Sequence, residues 1–230
     1  MFVSLFNTQQ LVVEDSEVDT YLNSLEAKIV DHMKAYPDDK FVVLHLGVNA
    51  GLKEMEVALE RRCFNGKCFE NKNVPVRGMD DPIDSLKTSN SVYRTLVPIN
   101  TLHRTVKKKH PCVRISDDPG RYLCNYIYYQ SCRKFQKLGV PSMFIHVPNT
   151  LEPQKIVDLA DIVTDVAKAY FDVIKEIARD DEYTAPDAVS ETAKRYHENP
   201  ADDIRTCPFT AFNLFWTAAA ILKIYLLTKI

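Results

Sequence analysis

Two short apolar runs place the strongest limit on how this chain can fold. Residues 41–46 (FVVLHL) end at Gly47, and residues 142–147 (SMFIHV) end at Pro148. Each run is too short for a helix and is apolar at consecutive positions, as strands buried on both faces of a parallel sheet are. Helical patterns alternate with these runs, over residues 18–36, 96–109, 121–138 and 156–178. We therefore predict an α/β fold: an open, mostly parallel sheet with helices on both faces, in an α/β/α sandwich.

The remaining segments divide the chain into a domain and an extension. Shorter strands are predicted at residues 11–13, 55–64 and 113–115, and a long polar surface excursion at residues 66–88. We assign residues 1–178 to one domain and residues 179–230 to a C-terminal extension. Its apolar part, residues 209–227, predicts a helix packed on the domain or a poorly defined tail, because Lys223 makes the alternative of a membrane anchor costly.

Composition and charge narrow the class of protein. Of the 230 residues 46% are hydrophobic, so the chain can bury one good-sized core. A formal net charge of −2 gives no electrostatic footprint for nucleic acid or an anionic membrane surface. The N-terminus lacks the pattern of a secretory signal, so we predict a cytoplasmic protein with free thiols. We expect no metal or other cofactor, because Cys63 and Cys68 lack a second Cys or His pair at ligand spacing.

Cys124 is the first candidate for chemistry. It follows a predicted strand and turn and falls in the first turn of a predicted helix. Unpaired backbone N–H groups and the positive end of the helix dipole favour a thiolate at such a position, and the same N–H groups could hold an oxyanion. The alternative is a small buried apolar residue, which is the commoner place of a cysteine inside a cell.

His146 and Glu60 are the candidates for a base and its partner. His146 is the last polar residue of a predicted strand, so it can reach across the carboxyl edge of the sheet toward Cys124. Glu60 is a carboxylate within a hydrophobic strand, and it could orient an imidazole and stabilise its protonated form. The alternatives are a core histidine with its hydrogen bonds satisfied, and an ion pair of Glu60 with Arg61 or Arg62.

Taken together, these segments resemble pyroglutamyl-peptidase I, a family of cysteine peptidases that remove an N-terminal pyroglutamyl residue from peptides. Residues 116–125 (SDDPGRYLCN) resemble its nucleophile segment, and residues 144–148 (FIHVP) resemble its histidine strand. Residues 59–65 (LERRCFN) fit its glutamate segment. Residues 45–51 (HLGVNAG) fit the loop that binds the pyroglutamyl ring amide through main-chain atoms. The resemblance spans residues 12–178, and it implies small peptides with N-terminal pyroglutamate as substrates.

The resemblance also implies residue roles, which we list as expectations. It implies that Cys124 is the nucleophile, that His146 is the base and later the acid, and that Glu60 orients His146. The substrate-binding positions that it implies are Val48, through its backbone N–H and C=O, and Tyr122 and Leu123, which would line an apolar pocket.

Two departures from the family give an alternative function. Nothing like the family's opening strand and Gly/Phe loop precedes Leu11, which predicts that a strand and an aromatic wall of the ring pocket are missing. Residues 179–230 extend beyond the usual end of the family. The alternative is a catalytically impaired relative that serves as a binding protein, tethered to a membrane by its C-terminal tail.

Overall fold

The structure is a computed structural model, and it describes residues 5–7, 10–11, 15–69, 81–179 and 221–228. Its helices are α1 (Asp15–Ala35), α2 (Ile99–Lys107), α3 (Leu123–Phe135) and α4 (Pro153–Arg179), with a 3-10 turn at Gln136–Leu138. Its strands are β1 (Leu5–Asn7), β2 (Gln10–Leu11), β3 (Lys40–Val48), β4 (Val57–Glu60), β5 (Arg62–Phe64), β6 (Gly66–Lys67), β7 (Asp81–Pro82), β8 (Val92–Arg94), β9 (Val113–Ser116), β10 (Ser142–Val147) and β11 (Ile221–Thr228).

The helix predictions between residues 18 and 178 are confirmed, and local signals explain where the helices end. Helix α1 stops before Pro37, which cannot continue a helix. The turn that follows α3 closes at Gly139, whose positive φ of 70° suits a glycine just beyond a helix end. Helix α4 begins at Pro153, where the missing N–H of proline costs nothing.

The main sheet has the strand order β1-β11-β3-β10-β4-β9 within the described residues, with β2 paired to β11. Strands β3 and β10 are parallel, with His146 opposite Gly47, and β4 and β9 are also parallel. Strand β4 runs antiparallel to β10, with Glu60 opposite Phe144. The predicted α/β fold is confirmed, with a mixed sheet in which β3 and β10, and β4 and β9, are parallel.

Helices cover both faces of this sheet, as the sequence predicted. Helices α1 and α3 pack on one face, which we call the α3 face, together with Val43 and Phe144. Helices α2 and α4 pack on the other, the α4 face, together with Leu44 and Ile145. Successive residues of a strand point to opposite faces, so β3 and β10 each contribute to both cores.

The prediction of a helix across residues 209–227 is wrong for the part that the structure describes. Residues Ile221–Thr228 form β11, which runs antiparallel along β3 and places Lys223 opposite His45. A short apolar run does not distinguish a strand from a buried helix by its pattern, and β3 has an edge that a strand can pair with. Residues 180–220 lie outside the described residues.

The remaining predictions concern the chain ends and the surface excursion. A short strand, β1, does precede Leu11, but it pairs with β11. The predicted strand at residues 55–64 is divided into β4 and β5 by Arg61. The excursion at residues 66–88 contributes β6 and β7, and residues 70–80 lie outside the described part. Within that part, none of the helices combines the length and the apolar character needed to cross a membrane.

Candidate active site

His146 and Glu60 form a buried hydrogen-bonded pair across two neighbouring strands. The His146 Nδ1–H donates to Glu60 Oε1 at 2.8 Å, and only 2% and 1% of the two side chains is exposed. In the antiparallel register His146 lies opposite Ala58, so Glu60 is its diagonal neighbour on the same face. The expectation that His146 and Cys124 meet at a common carboxyl edge is wrong, because β4 and β9, which leads toward Cys124, both run antiparallel to β10. His146 and Glu60 do not share such an edge either. The two side chains meet through this diagonal instead.

Cys124 is brought to the same place by the first turn of α3. It is the second residue of the helix and is half-buried, and it forms a hydrogen bond with His146. Tyr122, in an extended conformation, precedes the helix, and no side chain of the described residues caps it. The N–H groups of the first turn, which holds Cys124, therefore have no side-chain cap. Cys124, His146 and Glu60 form one chain of contacts.

The charge state of His146 follows from these neighbours. Burial lowers the pKa of His146, but the hydrogen bonds and charges of Cys124 and Glu60 outweigh burial and raise it from 6.5 to about 9. At neutral pH the ring is therefore an imidazolium between a thiol and a carboxylate. An imidazolium beside a cysteine stabilises the thiolate, which is the nucleophilic form.

Glycine at position 47 makes room for this contact. A Cβ atom built on Gly47 would lie 2.6 Å from Phe144 Cζ and 3.1 Å from Cys124 Sγ. The Phe144 ring in turn lies against the His146 ring, with centroids 4.7 Å apart. Strand β3, Phe144, the thiol and the imidazole thus pack as one unit, and a side chain at position 47 would have to displace a member of it.

Glu60 does not pair with the neighbouring arginines. Both Nε and Nη2 of Arg61 donate to the carboxylate of Asp117, and Arg62 Nε donates to the Asp117 carbonyl at 2.9 Å. These bonds fix the turn after β9 that leads into α3. The ion-pair alternative for Glu60 is therefore wrong, and the second carboxylate oxygen of Glu60 has no hydrogen-bond partner among the described residues.

The same turn brings the chain from β9 to the start of α3. Asp118 Oδ1 accepts from the Gly120 N–H at 3.0 Å and from Arg121 Nη1 at 2.9 Å. Gly120 has a φ of 80°, which an L side chain seldom adopts. The Arg121 guanidinium lies 3.7 Å from the centre of the Phe64 ring. Residues 118–121 (Asp-Pro-Gly-Arg) therefore determine the conformation of the turn, and this turn determines where α3 and Cys124 begin.

The three predicted substrate-binding residues lie around Cys124 in different surroundings. Val48 is the last residue of β3 and is 36% exposed. Tyr122 is half-buried and meets Phe69 edge to face, with centroids 5.6 Å apart. Leu123 is buried in the core under α3, so its side chain supports the helix from within.

Sequence reasoning assigned no role to several residues that build the site. Gly47 and Phe144 shape it from the strands, and Tyr128 donates from its hydroxyl to the Glu60 carbonyl at 2.9 Å. Asn125, fully buried beside Cys124, bonds to the main chain of Phe64. A polar residue such as Asn125 on the buried side of a helix is the one signal that could have marked it.

Comparison with known proteins identifies the family. The family model for pyroglutamyl peptidase matches residues 6–173, which is most of the chain. The chain belongs to the pyroglutamyl peptidase family. This result confirms the resemblance seen in the motifs, and the two segments with Cys124 and His146 lie inside the matched range.

Individual relatives of this family are distant. The pyrrolidone-carboxylate peptidase of Pyrococcus furiosus is 28% identical over 122 residues, which cover 51% of this chain and 55% of that protein. The enzyme of the same name from Fusobacterium nucleatum is 29% identical over 146 residues, which cover 61% of this chain and 63% of that protein. The chain thus spans between about half and two thirds of the length of these relatives.

A solved structure from the family agrees with the fold. The crystal structure of a mutant pyrrolidone carboxyl peptidase from P. furiosus superposes with a TM-score of 0.54. The superposition covers 72% of this chain and 79% of the P. furiosus chain, and the two sequences are 23% identical. At this level of identity the match concerns the fold, and it supports the α/β architecture of the pyroglutamyl peptidase family here.

Proposed function

We propose that this chain is a cysteine exopeptidase that hydrolyses the bond after an N-terminal pyroglutamyl residue of a small peptide. The observation that supports it best is the contact chain from Cys124 through His146 to Glu60, held in a family whose members are named for this activity. A nucleophile, a base and an orienting carboxylate in hydrogen-bond reach are what acyl transfer by a cysteine requires.

In the proposed acylation step the Cys124 thiolate attacks the pyroglutamyl carbonyl carbon and forms a C–S bond. The negative charge that develops on the carbonyl oxygen is accepted by the free N–H groups of the first turn of α3. The C–N bond then breaks, and the His146 imidazolium gives its proton to the leaving amine. The shortened peptide leaves, and a thioester remains on Cys124.

In the proposed deacylation step a water molecule attacks the thioester carbonyl and gives a proton to neutral His146. The C–S bond breaks, pyroglutamic acid is released, and the thiolate–imidazolium pair is restored. Glu60 accepts from His146 Nδ1 throughout, so it keeps the ring orientation and stabilises its protonated form.

The main chain of Val48 supports recognition of the lactam ring. The Asn49 N–H donates to the Val147 carbonyl at 2.9 Å, so the main-chain groups of Val48 point to the other side of β3. Strand β11 pairs with β3 only as far as His45, so described β11 does not occupy these groups. The N–H and C=O of Val48 can therefore pair with the lactam, while Tyr122 offers an apolar surface nearby.

A fluorogenic pyroglutamyl amide, tested with and without iodoacetamide, checks this proposal. We expect turnover that iodoacetamide abolishes, and far slower turnover of the prolyl amide, because proline cannot satisfy both polar groups of Val48. Comparable rates on the two amides would contradict the lactam site. Tight binding of a pyroglutamyl peptide without turnover would indicate the catalytically impaired binding protein instead. The cytoplasmic location stays a prediction.

A further inference from the structure

We propose that Asn125 is a positioning residue that fixes the distance and angle between the Cys124 thiol and the His146 imidazole. The proposal rests on the proposed function of Cys124 as the nucleophile. Asn125 directly follows Cys124 in the first turn of α3, and its side chain is fully buried. It therefore sits closer in sequence to the thiol than any other buried polar group of the helix.

The Asn125 amide holds one segment of the main chain by three hydrogen bonds. Its Oδ1 accepts from the Phe64 N–H at 2.8 Å, and its Nδ2 donates to the Phe64 carbonyl at 2.9 Å and to the Gly66 carbonyl at 2.8 Å. The first two bonds use both the N–H and the C=O of Phe64, so the amide pairs with β5 as a neighbouring strand would. The primary amide has two donors and one oxygen, and all of them are used.

The hydrogen bonds of Asn125 link the segment that carries Cys124 to the segment that carries Glu60. Phe64 ends β5, which follows the Glu60 strand after the single residue Arg61. Asn125 therefore joins the turn that carries the Cys124 thiol to the segment that carries Glu60, whose carboxylate accepts from His146. A displacement of about 1 Å between reacting groups can cost on the order of 100-fold in rate. The hydrogen bonds of Asn125 therefore limit how far Cys124 can move relative to His146.

The orientation of the Asn125 side chain also keeps the helix N-terminus open. Asparagine near the start of a helix commonly bonds to the free N–H groups of the first turn. Here its amide is bonded to Phe64 and Gly66, and Asp118 is bonded to Gly120 and Arg121. The N–H groups beside Cys124 are thus left for the oxyanion.

A second buried hydrogen bond of α3 provides a matched control. Ser131 Oγ lies 3.0 Å from Ser142 Oγ, both residues are buried, and the bond joins the same helix to the start of β10. Ser131 is about two helical turns away from Cys124. Loss of this bond should loosen the helix without moving the first turn.

The test compares Asn125→Ala with Ser131→Ala by three measurements: the thermal midpoint, kcat and KM on a pyroglutamyl amide, and the rate at which iodoacetamide alkylates Cys124 at pH 6. We expect Asn125→Ala to lower kcat and the alkylation rate on the order of 100-fold, with KM changed less than about threefold. Ser131→Ala should lower the thermal midpoint but keep both rates within about threefold of the parent. If Asn125→Ala lowers only the thermal midpoint, as Ser131→Ala does, Asn125 is a structural residue and the proposal is overturned.

The variant Asn125→Asp keeps the test decisive if the alanine variant does not fold. Its carboxyl group would face two carbonyl oxygens, so it can donate to one of them only when it is protonated. We expect its alkylation rate, taken relative to the parent at the same pH, to recover as the pH is lowered from 8 to 5. A ratio that stays constant over this range would contradict the positioning role. Alkylation of Cys124 does not need substrate, so this outcome stands even if no pyroglutamyl amide is hydrolysed.

Discussion

The two faces of the sheet bury different kinds of side chain. On the α4 face the core is apolar, and it fits Leu44, Leu59 and Ile145 against two helices. On the α3 face the buried side chains include Glu60, His146 and Asn125, together with a group of aromatic rings. The alternation of a strand separates them, so that neighbouring residues such as Leu59 and Glu60 serve opposite cores.

This difference shows how one thin sheet can supply both stability and chemistry. Apolar packing needs only shape and volume, whereas each buried polar group needs a hydrogen-bond partner at a defined place. His146 has such a partner in Glu60, and Asn125 has one in Phe64, whereas the second carboxylate oxygen of Glu60 has none among the described residues. We therefore expect substitutions beside Cys124 and His146 on the α3 face to change the rate, and those on the α4 face to change the stability.

The largest effect is expected from the thiol itself. Cys124→Ala should lower kcat/KM by at least about 10⁴-fold, because the remaining groups cannot form the acyl intermediate. The thermal midpoint should change little, since the thiol is half-buried. The measurement is hydrolysis of a pyroglutamyl amide together with thermal unfolding.

Cys112→Ala is the matched control for this substitution. Cys112 is also free and half-buried, but it packs toward the core of the α4 face. Its removal should leave the rate within about twofold. His146→Ala should match Cys124→Ala, and Glu60→Gln should be milder, because Glu60 orients the ring and takes no part in bond formation. Full activity in Cys124→Ala would contradict the mechanism.

Gly47→Ala should have the next largest effect, because it inserts a methyl group against Phe144 and Cys124. The new Cβ would lie 2.6 Å from Phe144 Cζ, so the ring must move, and this ring packs on His146. A shift of the imidazole should lower kcat on the order of 100-fold. Kinetics on the pyroglutamyl amide measures it.

The control for Gly47→Ala is another glycine whose substitution strains the chain away from the site. Gly139 has a φ of 70°, and a Cβ there would meet nothing within 4 Å. Gly139→Ala should cost about 1 kcal/mol of stability through backbone strain and should not change kcat. An unchanged rate in Gly47→Ala would mean that the thiol and the imidazole tolerate movement.

The parts of the fold that local sequence determines could be predicted. The helix stripe with Leu25 and Ile29 and the buried strands with His45 and His146 are confirmed, because period and apolar runs are local properties. Strand direction is not local. Nothing in the residues 57–60 indicates that β4 runs against β10, so the route by which Glu60 reaches His146 could not be predicted.

The candidate site divides in the same way. Cys124, His146 and Glu60 could be named as candidates because each is a reactive side chain in an unusual local setting. Asn125 and Gly47 were missed, because their roles depend on Phe64 and Phe144, which are remote in sequence. Residues 221–228 were misassigned for a related reason: an apolar run shows that a segment is buried, while its partner strand decides the conformation.

A pH profile should show a smaller effect that also belongs to the α3 face. The pKa of His146 is raised to about 9, so His146 stays protonated at neutral pH and loses its proton as the pH rises through about 9. Hydrolysis needs that proton for the leaving amine, so kcat/KM should fall about fivefold between pH 9 and pH 10. Alkylation of Cys124 needs no proton donor and should not fall. A flat profile of kcat/KM to pH 10 would contradict this role of His146.

The same proton affects stability, and the sign follows from the direction of the shift. Below about pH 6.5 the ring is protonated in both the folded and the unfolded chain, so the stabilisation is fully present. Between 6.5 and about 9 only the folded chain keeps the proton, and the stabilisation is lost as the pH rises through this window. On the α4 face burial raises the pKa of Tyr170 well above its usual range, so this tyrosine does not titrate near pH 9.

The smallest change in rate, with a large change in stability, is expected from Leu59→Ala. Leu59 is fully buried on the α4 face and is the direct neighbour of Glu60 in the chain. Its substitution therefore tests whether a change in packing on the α4 face alters the site on the α3 face. Removal of its side chain leaves a cavity that costs about 2–5 kcal/mol in the free energy of unfolding. The main chain of Glu60 is held independently by the Tyr128 hydroxyl from the α3 face, so kcat should stay within about threefold. Urea unfolding and kinetics below the unfolding transition measure the two quantities separately. A loss of rate comparable to that of Glu60→Gln would show that packing on one face sets the geometry on the other, and the division between the faces would then fail.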